Sequence, residues 1–239
     1  MHENKINGIA VQYLMFPSRT PQIYLVIPIF AGFISFVLSE KSVLADGERW
    51  DIVHKNQEIQ IEQFIGGFTI SISLIMAFLL CYRWSIIQRD GSYAYWLTQG
   101  VERKRFLFRS FIIIIGYLSL SLSVGIYLLY FPGGVSLPPS AYIQLLVLSI
   151  IYIALLTSFS FFISEVIRNP ELSALTFMIS VWLNLVFNNS PDNLLHKILQ
   201  PAYHFLDQDI FISLGGGIAI SGLLYFITLL IHVNRDIHL

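Results

Sequence analysis

Charge is what this sequence is shortest of. Only 12% of its 239 residues are Asp, Glu, Lys or Arg, about half the ~25% usual in soluble domains. A soluble chain of this size needs more charge to cover its surface. With 55% hydrophobic residues, the composition excludes a soluble enzyme and a disordered chain. Cys81 is the single cysteine, which excludes internal disulfides, a disulfide-rich secreted domain and a Cys-based metal cluster. The formal net charge is −1, unlike that of a general nucleic-acid binder. No Gly-x-x-x-x-Gly-Lys-Ser/Thr phosphate loop occurs, and no Gly is followed by Lys. The chain is therefore expected not to be an ATPase by itself. The motifs His-Glu-x-x-His and Gly-x-Ser-x-Gly are also missing, as is any Asp pair within an apolar run. Intramembrane proteases are disfavoured on that ground.

What the sequence has instead is apolar length. Mean hydropathy is +0.68, and aromatics reach 15%, with 19 Phe and 12 Tyr. Six runs suit the ~20 mostly apolar residues that a membrane helix needs: residues 23–39, 64–84, 106–131, 141–164, 172–188 and 210–233. Each is apolar around its circumference, unlike an amphipathic soluble helix. Pro28 should kink the first, which a bundle tolerates. About twenty residues precede that run, and it exceeds a signal-peptide core, so it reads as retained. Phe131-Pro132-Gly133-Gly134 with Pro138-Pro139, and Arg168-Asn169-Pro170-Glu171, mark the turns on either side of the fourth run. The expected fold is an all-α integral membrane protein, one transmembrane domain over residues 1–239 with six transmembrane helices and no soluble domain.

Cytoplasmic loops carry the excess of Lys and Arg. With the N-terminus inside, ten of the 14 basic residues fall on the cytoplasmic side, leaving Lys41, Arg49, Lys55 and Lys197 outside. Both termini are therefore expected in the cytoplasm. The N-terminal stretch has Ile6, Ile9, Ala10, Tyr13 and Leu14 at helical spacing before Pro17. It reads either as a helix lying in the membrane interface or as a frayed apolar tail. Between the fifth and sixth runs, Leu194, Leu195, Ile198 and Leu199, then Pro201, Tyr203, Phe205 and Leu206, suit two short outer helices.

The most informative segment is the cytoplasmic loop between the second and third runs. Residues Ser92 to Thr98 can form a short helix bracketed by Gly91 and Gly100. Ser92 suits its N-cap and Gly100 its end. Tyr93, Tyr95, Trp96 and Leu97 supply apolar anchors, and the basic cluster Arg103-Lys104-Arg105 follows. A short helix held between two spans can seat in a cleft of a soluble partner and pass a push to both.

In Gly91-Ser92, Leu97, Gly100-Val101 and Arg103, taken in order and spacing, the chain resembles the permease subunits of ABC-2 type exporters. The resemblance extends to the six spans, the interfacial helix, both ends inside and the small outer helices before the last span. It departs where the family usually has Glu before the glycine; here Gln88 and Asp90 stand.

The resemblance implies a membrane permease moving a hydrophobic or amphipathic substrate. Its partners would be a separate ATP-binding cassette ATPase, which uses ATP and Mg, and a second permease subunit alike or similar. The chain itself would bind no cofactor. The docking residues would be Gly91, Ser92, Tyr93, Tyr95, Trp96, Leu97, Gly100 and Arg103. The alternative is a membrane assembly, immunity or scaffold protein with no transport.

The remaining polar residues suit packing roles as well as chemistry. The runs lack Asp, Glu, Lys and Arg except near their ends, as at Glu165, which disfavours ion-coupled transport. Gln144 and Asn184 are candidate cargo-path residues, with interhelical hydrogen bonding as the plainer role. Ser119, Ser121, Ser123, Ser158, Ser160 and Gly215-Gly216-Gly217 suit close helix approach. Phe159, Phe161 and Phe162 read as lipid-facing or interfacial. His196, His204, Asp207 and Asp209 can ligate a metal, but the eight-residue His spacing and the lack of a fixed third ligand favour ordinary polar faces, so no metal is expected.

Overall fold

The computed structural model describes residues 26–32, 34–35, 51–89, 102–130, 139–187, 194–204 and 210–234. Among the described residues the regular structure is entirely helical. Four helical stretches are long and apolar enough to cross a membrane: Gln63–Arg89, Arg103–Leu128, Pro139–Val166 and Ile210–Asn234. They coincide with the second, third, fourth and sixth expected runs, and the chain is accordingly a membrane-embedded helical protein. In the first run, residues 26–32 and 34–35 are helical. The fifth run forms Pro170–Phe187, 18 residues, which is about 27 Å at 1.5 Å per residue. The N-terminal stretch with Ile6 to Leu14 lies outside the described residues, as does the turn at 131–138.

In chain order, α1 is Asp51–Met76, which runs through a π-helical segment, Ala77–Arg83, into α2, Trp84–Arg89. Then come α3 (Arg103–Tyr130), α4 (Pro139–Val166) and α5 (Pro170–Phe187). The short α6 (Leu194–Leu199) and a 3-10 turn (Pro201–His204) precede α7 (Ile210–Asn234). The second run thus extends at both ends beyond residues 64–84. At its start, Lys55, Gln57, Glu58 and Gln60 are good helix formers that continue the apolar helix outward.

The break between α4 and α5 follows directly from local chemistry. Asn169 Oδ1 accepts the amide N–H of Leu172 at 2.9 Å, Pro170 opens the helix, and Glu171 sits in its first turn. These are the N-cap, the first-turn proline and the dipole-matched acid that start a helix well.

The core is built on α4. Its Leu145, Leu148, Tyr152, Leu156 and Phe161 are buried, and it packs against α7, α3, α5 and the π segment. Phe161, expected at the lipid face, is fully buried because it lies under Trp84. Helices α3 and α7 are peripheral; Leu120, Phe211, Leu223 and Phe226 are more than half exposed, as lipid-facing positions are.

Small residues set the closest approaches. The Ser158 and Ser221 hydroxyls meet at 3.0 Å between α4 and α7. A Cβ on Gly217 would stand 2.7 Å from Ile151 Cγ2, and one on Gly216 2.6 Å from Ile198 Cγ1, whereas Gly215 faces open space. Lipid tails are as apolar as Leu, so such close contact, rather than hydrophobic burial, is what holds membrane helices together.

The π segment is held on both flanks. Cys81 carbonyl oxygen accepts from Ser85 Oγ at 2.7 Å and from Ser173 Oγ of α5 at 2.9 Å. Cys81 Sγ lies 3.5 Å from the Ser160 carbonyl of α4. A π turn shifts the regular i to i−4 pairing and leaves carbonyls for side-chain donors to satisfy.

Gly67 of α1 is the tightest backbone approach to the first run. A Cβ there would stand 2.7 Å from the Ala31 carbonyl oxygen, while one on Gly116 meets nothing. Gly67→Ala should destabilise the folded protein by about 1–3 kcal/mol, read as a lower thermal midpoint in detergent. Gly116→Ala should leave that midpoint unchanged or raise it.

Candidate functional site: a buried carboxylate cluster and an apolar cavity

Glu165 is the penultimate residue of α4 and is buried, with 0% side-chain exposure. An acid at a helix C-terminus opposes the helix dipole, and an uncompensated buried charge is costly. Both costs are met by donors converging on one oxygen. Trp84 Nε1–H donates to Glu165 Oε1 at 2.9 Å, Gln88 Nε2 at 2.5 Å, and His232 Nδ1 lies 2.8 Å away. Trp84 and Gln88 are four residues apart, so α2 presents both on one face. His232 comes from the last turn of α7. One carboxylate therefore ties the ends of α2, α4 and α7.

Aromatic packing encloses the cluster. The Trp84 ring stacks on Phe106 at 5.5 Å between centroids, meets Phe161 edge-on at 5.0 Å and lies 5.8 Å from the His232 ring. Trp84, Phe106, Phe161 and His232 are all buried, so these hydrogen bonds operate away from water, where they are strongest. Next to it, Arg103 Nη1 donates to the Val233 carbonyl at 3.0 Å. This satisfies an orphan carbonyl at the C-terminus of α7 with a cation. The exposed Arg105–Glu102 pair at 3.0 Å adds little to stability.

Arg103 is thus the one expected docking residue among the described residues. Gly91, Ser92, Tyr93, Tyr95, Trp96, Leu97 and Gly100 lie outside them. The two described flanks of their loop end in the same place. Trp84 and Gln88 before it, and Arg103 and Phe106 after it, converge on Glu165 and the last turn of α7. Sequence reasoning noted Glu165 and Gln88 only as a span end and a family departure, and passed over Trp84 and His232 in this role. Trp84 and Gln88 at i, i+4 were a readable signal. The pairing with residues about 80 and 150 positions away was not.

A cavity of about 260 Å³ lies between α4, α5 and α7. Leu156 and Phe159 line it from α4, Asn184 from α5, Ile220 and Leu224 from α7, and Leu199 of α6 from one end. Asn184, a candidate cargo-path residue, is therefore at the cavity. Gln144, the other, is not; it is half-buried near the start of α4. Gln200 Nε2 donates to the Asn184 carbonyl at 3.1 Å, joining the cavity wall to the short elements at its end.

Those elements are pinned by His196 and His204. Nδ1 of the first and Nε2 of the second are 2.6 Å apart, with the rings nearly perpendicular and both residues buried. One nitrogen donates and the other accepts. Among the described residues no group of three or more His, Cys, Asp or Glu converges as for a metal; Asp207 and Asp209 lie outside them.

No family model matches the chain, and neither a curated protein nor a solved structure matches it.

Trp84→Phe keeps the ring stack and removes one charge-assisted donor, so it should cost about 1.5–3 kcal/mol. His232→Ala should cost more, because it removes a buried ring as well as a hydrogen-bond partner of Glu165. Thermal unfolding in detergent should rank Trp84→Phe above His232→Ala; the reverse order would refute His232 as a principal partner of Glu165. At the other end, His196→Ala and His204→Ala should each lower the midpoint, and the double variant should cost little more than either single, because both remove the same bond.

Proposed function

We propose that this chain is the membrane subunit of an ATP-driven exporter of the ABC-2 permease type. In this reading it has six spans with both termini cytoplasmic, sits in the cell membrane, and moves a hydrophobic or amphipathic substrate. A second permease subunit completes the pathway, and a cytoplasmic ATPase supplies the energy from ATP and Mg. The fifth and first spans are α5, whose about 27 Å approaches the ~30 Å hydrocarbon core, and the run in which residues 26–32 and 34–35 are helical.

The observation that carries the reading is the convergence of both loop flanks on one buried, hydrogen-bonded cluster. A docking loop transmits force only if its ends are stiff. Here α2 and α3, which enter and leave the loop, are both bonded or stacked to the ends of α4 and α7. A push on residues 91–100 would therefore move α4 and α7 together, and these two helices line the cavity that holds Asn184. Gly91 and Gly100 would allow the sharp turns into and out of a docking helix, and Tyr93, Tyr95, Trp96 and Leu97 would seat in the ATPase.

The test is co-purification of the chain with a phosphate-loop ATPase encoded beside it. Aromatic anchors in desolvated pockets are worth ≥ 2 kcal/mol each, so Trp96→Ala should weaken ATPase association by roughly 30-fold. Leu97→Ala should act in the same direction, and both should leave membrane insertion intact. Phe226→Ala, on the exposed face of α7, should leave association unchanged. Full association by Trp96→Ala and Leu97→Ala would make the loop a plain connector and favour a non-transport assembly or scaffold role.

A further inference from the structure

One space among the described residues is large. Two other internal spaces each leave only about 10 Å³, while the one between α4, α5 and α7 leaves about 260 Å³. The large space is partly open at the protein surface, so its apolar walls meet lipid or a bound ligand rather than closing on themselves. Its walls are almost wholly apolar: Leu156, Phe159, Ile220 and Leu224 form the sides and Leu199 one end.

Water is a poor occupant, because an ordered water needs two to four polar partners. The polar side chains here are Ser180 and Asn184, and the Ser180 hydroxyl already donates to the Thr176 carbonyl at 2.8 Å. Both lie on one face of α5, four residues apart. The cavity therefore has a long apolar part and a polar strip, with Gln200 next to Asn184 at the end closed by α6.

We infer that this cavity is a binding site for a single hydrocarbon chain, with the polar end of the same molecule toward Asn184 and Gln200. A dry cavity of 150 Å³ takes benzene, a six-carbon ligand, so by volume this one takes an apolar segment of roughly ten carbons. That is the scale of the greater part of one acyl tail and too small for a sterol-sized ring system. The chain can belong to a bilayer lipid or to a free amphiphile such as a fatty acid, which share this chemistry. The site needs only the membrane setting of the four long helices and holds whether or not an ATPase docks on the loop.

The test uses two photoreactive probes carrying a mid-chain diazirine, palmitic acid and phosphatidylcholine, with the full chain in lipid nanodiscs and no ATPase present. Labelling should concentrate on the peptides that contain Leu155–Phe159 and Ser180–Asn184. Ile220→Trp and Ser180→Phe, both from half-buried positions, should fill the space and reduce that labelling at least fivefold. Leu223→Trp, on the exposed face of α7, should not. Enrichment with the phosphatidylcholine probe alone assigns the site to a bilayer lipid. Enrichment with the fatty acid, displaced by unlabelled palmitate, assigns it to a free amphiphile. Labelling spread evenly over the exposed helix faces, or unchanged by both filling variants while their thermal midpoints stay near wild type, would overturn the inference. If one filling variant fails to fold, the other decides.

Discussion

A carboxylate cannot be left alone inside a membrane protein, and Glu165 is the point on which the described structure turns. Removing a charge from water costs several kcal/mol even after relaxation. The fold meets that cost by bringing Trp84, Gln88 and His232 to one oxygen from helices that are far apart in sequence. The requirement is geometric as much as energetic. Trp84 can donate only if α2 runs beside the end of α4, and His232 only if α7 ends at the same level. The ring stack of Trp84 with Phe106 then positions the start of α3. One desolvated charge thereby sets the relative heights of four helix ends.

The rest of the helical packing is consistent with that anchor. Between apolar helices in lipid there is little hydrophobic gain, so association depends on close contact and a few polar bonds. The Ser158–Ser221 hydroxyl pair, the Cys81 carbonyl with its two serine donors, and Gly217 beneath Ile151 supply these along α4. The π segment belongs to the same logic: it occurs where α1 meets both α4 and α5, and the carbonyl it frees is satisfied across the interface. The Glu165 cluster ties the ends of α2, α4 and α7, and the large cavity lies along the second half of α4 and α5 and the middle of α7, beside the close Ser158–Ser221 contact.

Much of this was legible in the residues. The apolar runs at 64–84, 106–131, 141–164 and 210–233 appear as long helices because length and composition alone decide whether a segment is stable in a bilayer. The break at Asn169-Pro170-Glu171 was readable because capping is local. The stretch at 194–204 could be read as short helical pieces from its apolar spacing and Pro201. Phe161 was misplaced at the lipid face, because composition around a fully apolar helix does not distinguish the side turned to lipid from the side turned to protein. For the same reason Gln144 and Asn184 looked equivalent, although only Asn184 reaches the cavity.

The sequence by itself determined the solvent: with so little charge and so many apolar runs, the chain must be helical and embedded in lipid, since every backbone polar group has to be satisfied within its own segment. It also determined where helices start and stop wherever a cap, a proline or a glycine acts within a few residues. Only the tertiary structure decided which polar residues matter. Trp84, Gln88, Glu165 and His232 are separated by up to about 150 positions, and no local pattern links a span-end acid to a histidine in another span. Their meeting depends on the heights and rotations of whole helices, which arise from the sum of many weak packing contacts, and it is at that level that the cluster and the cavity exist.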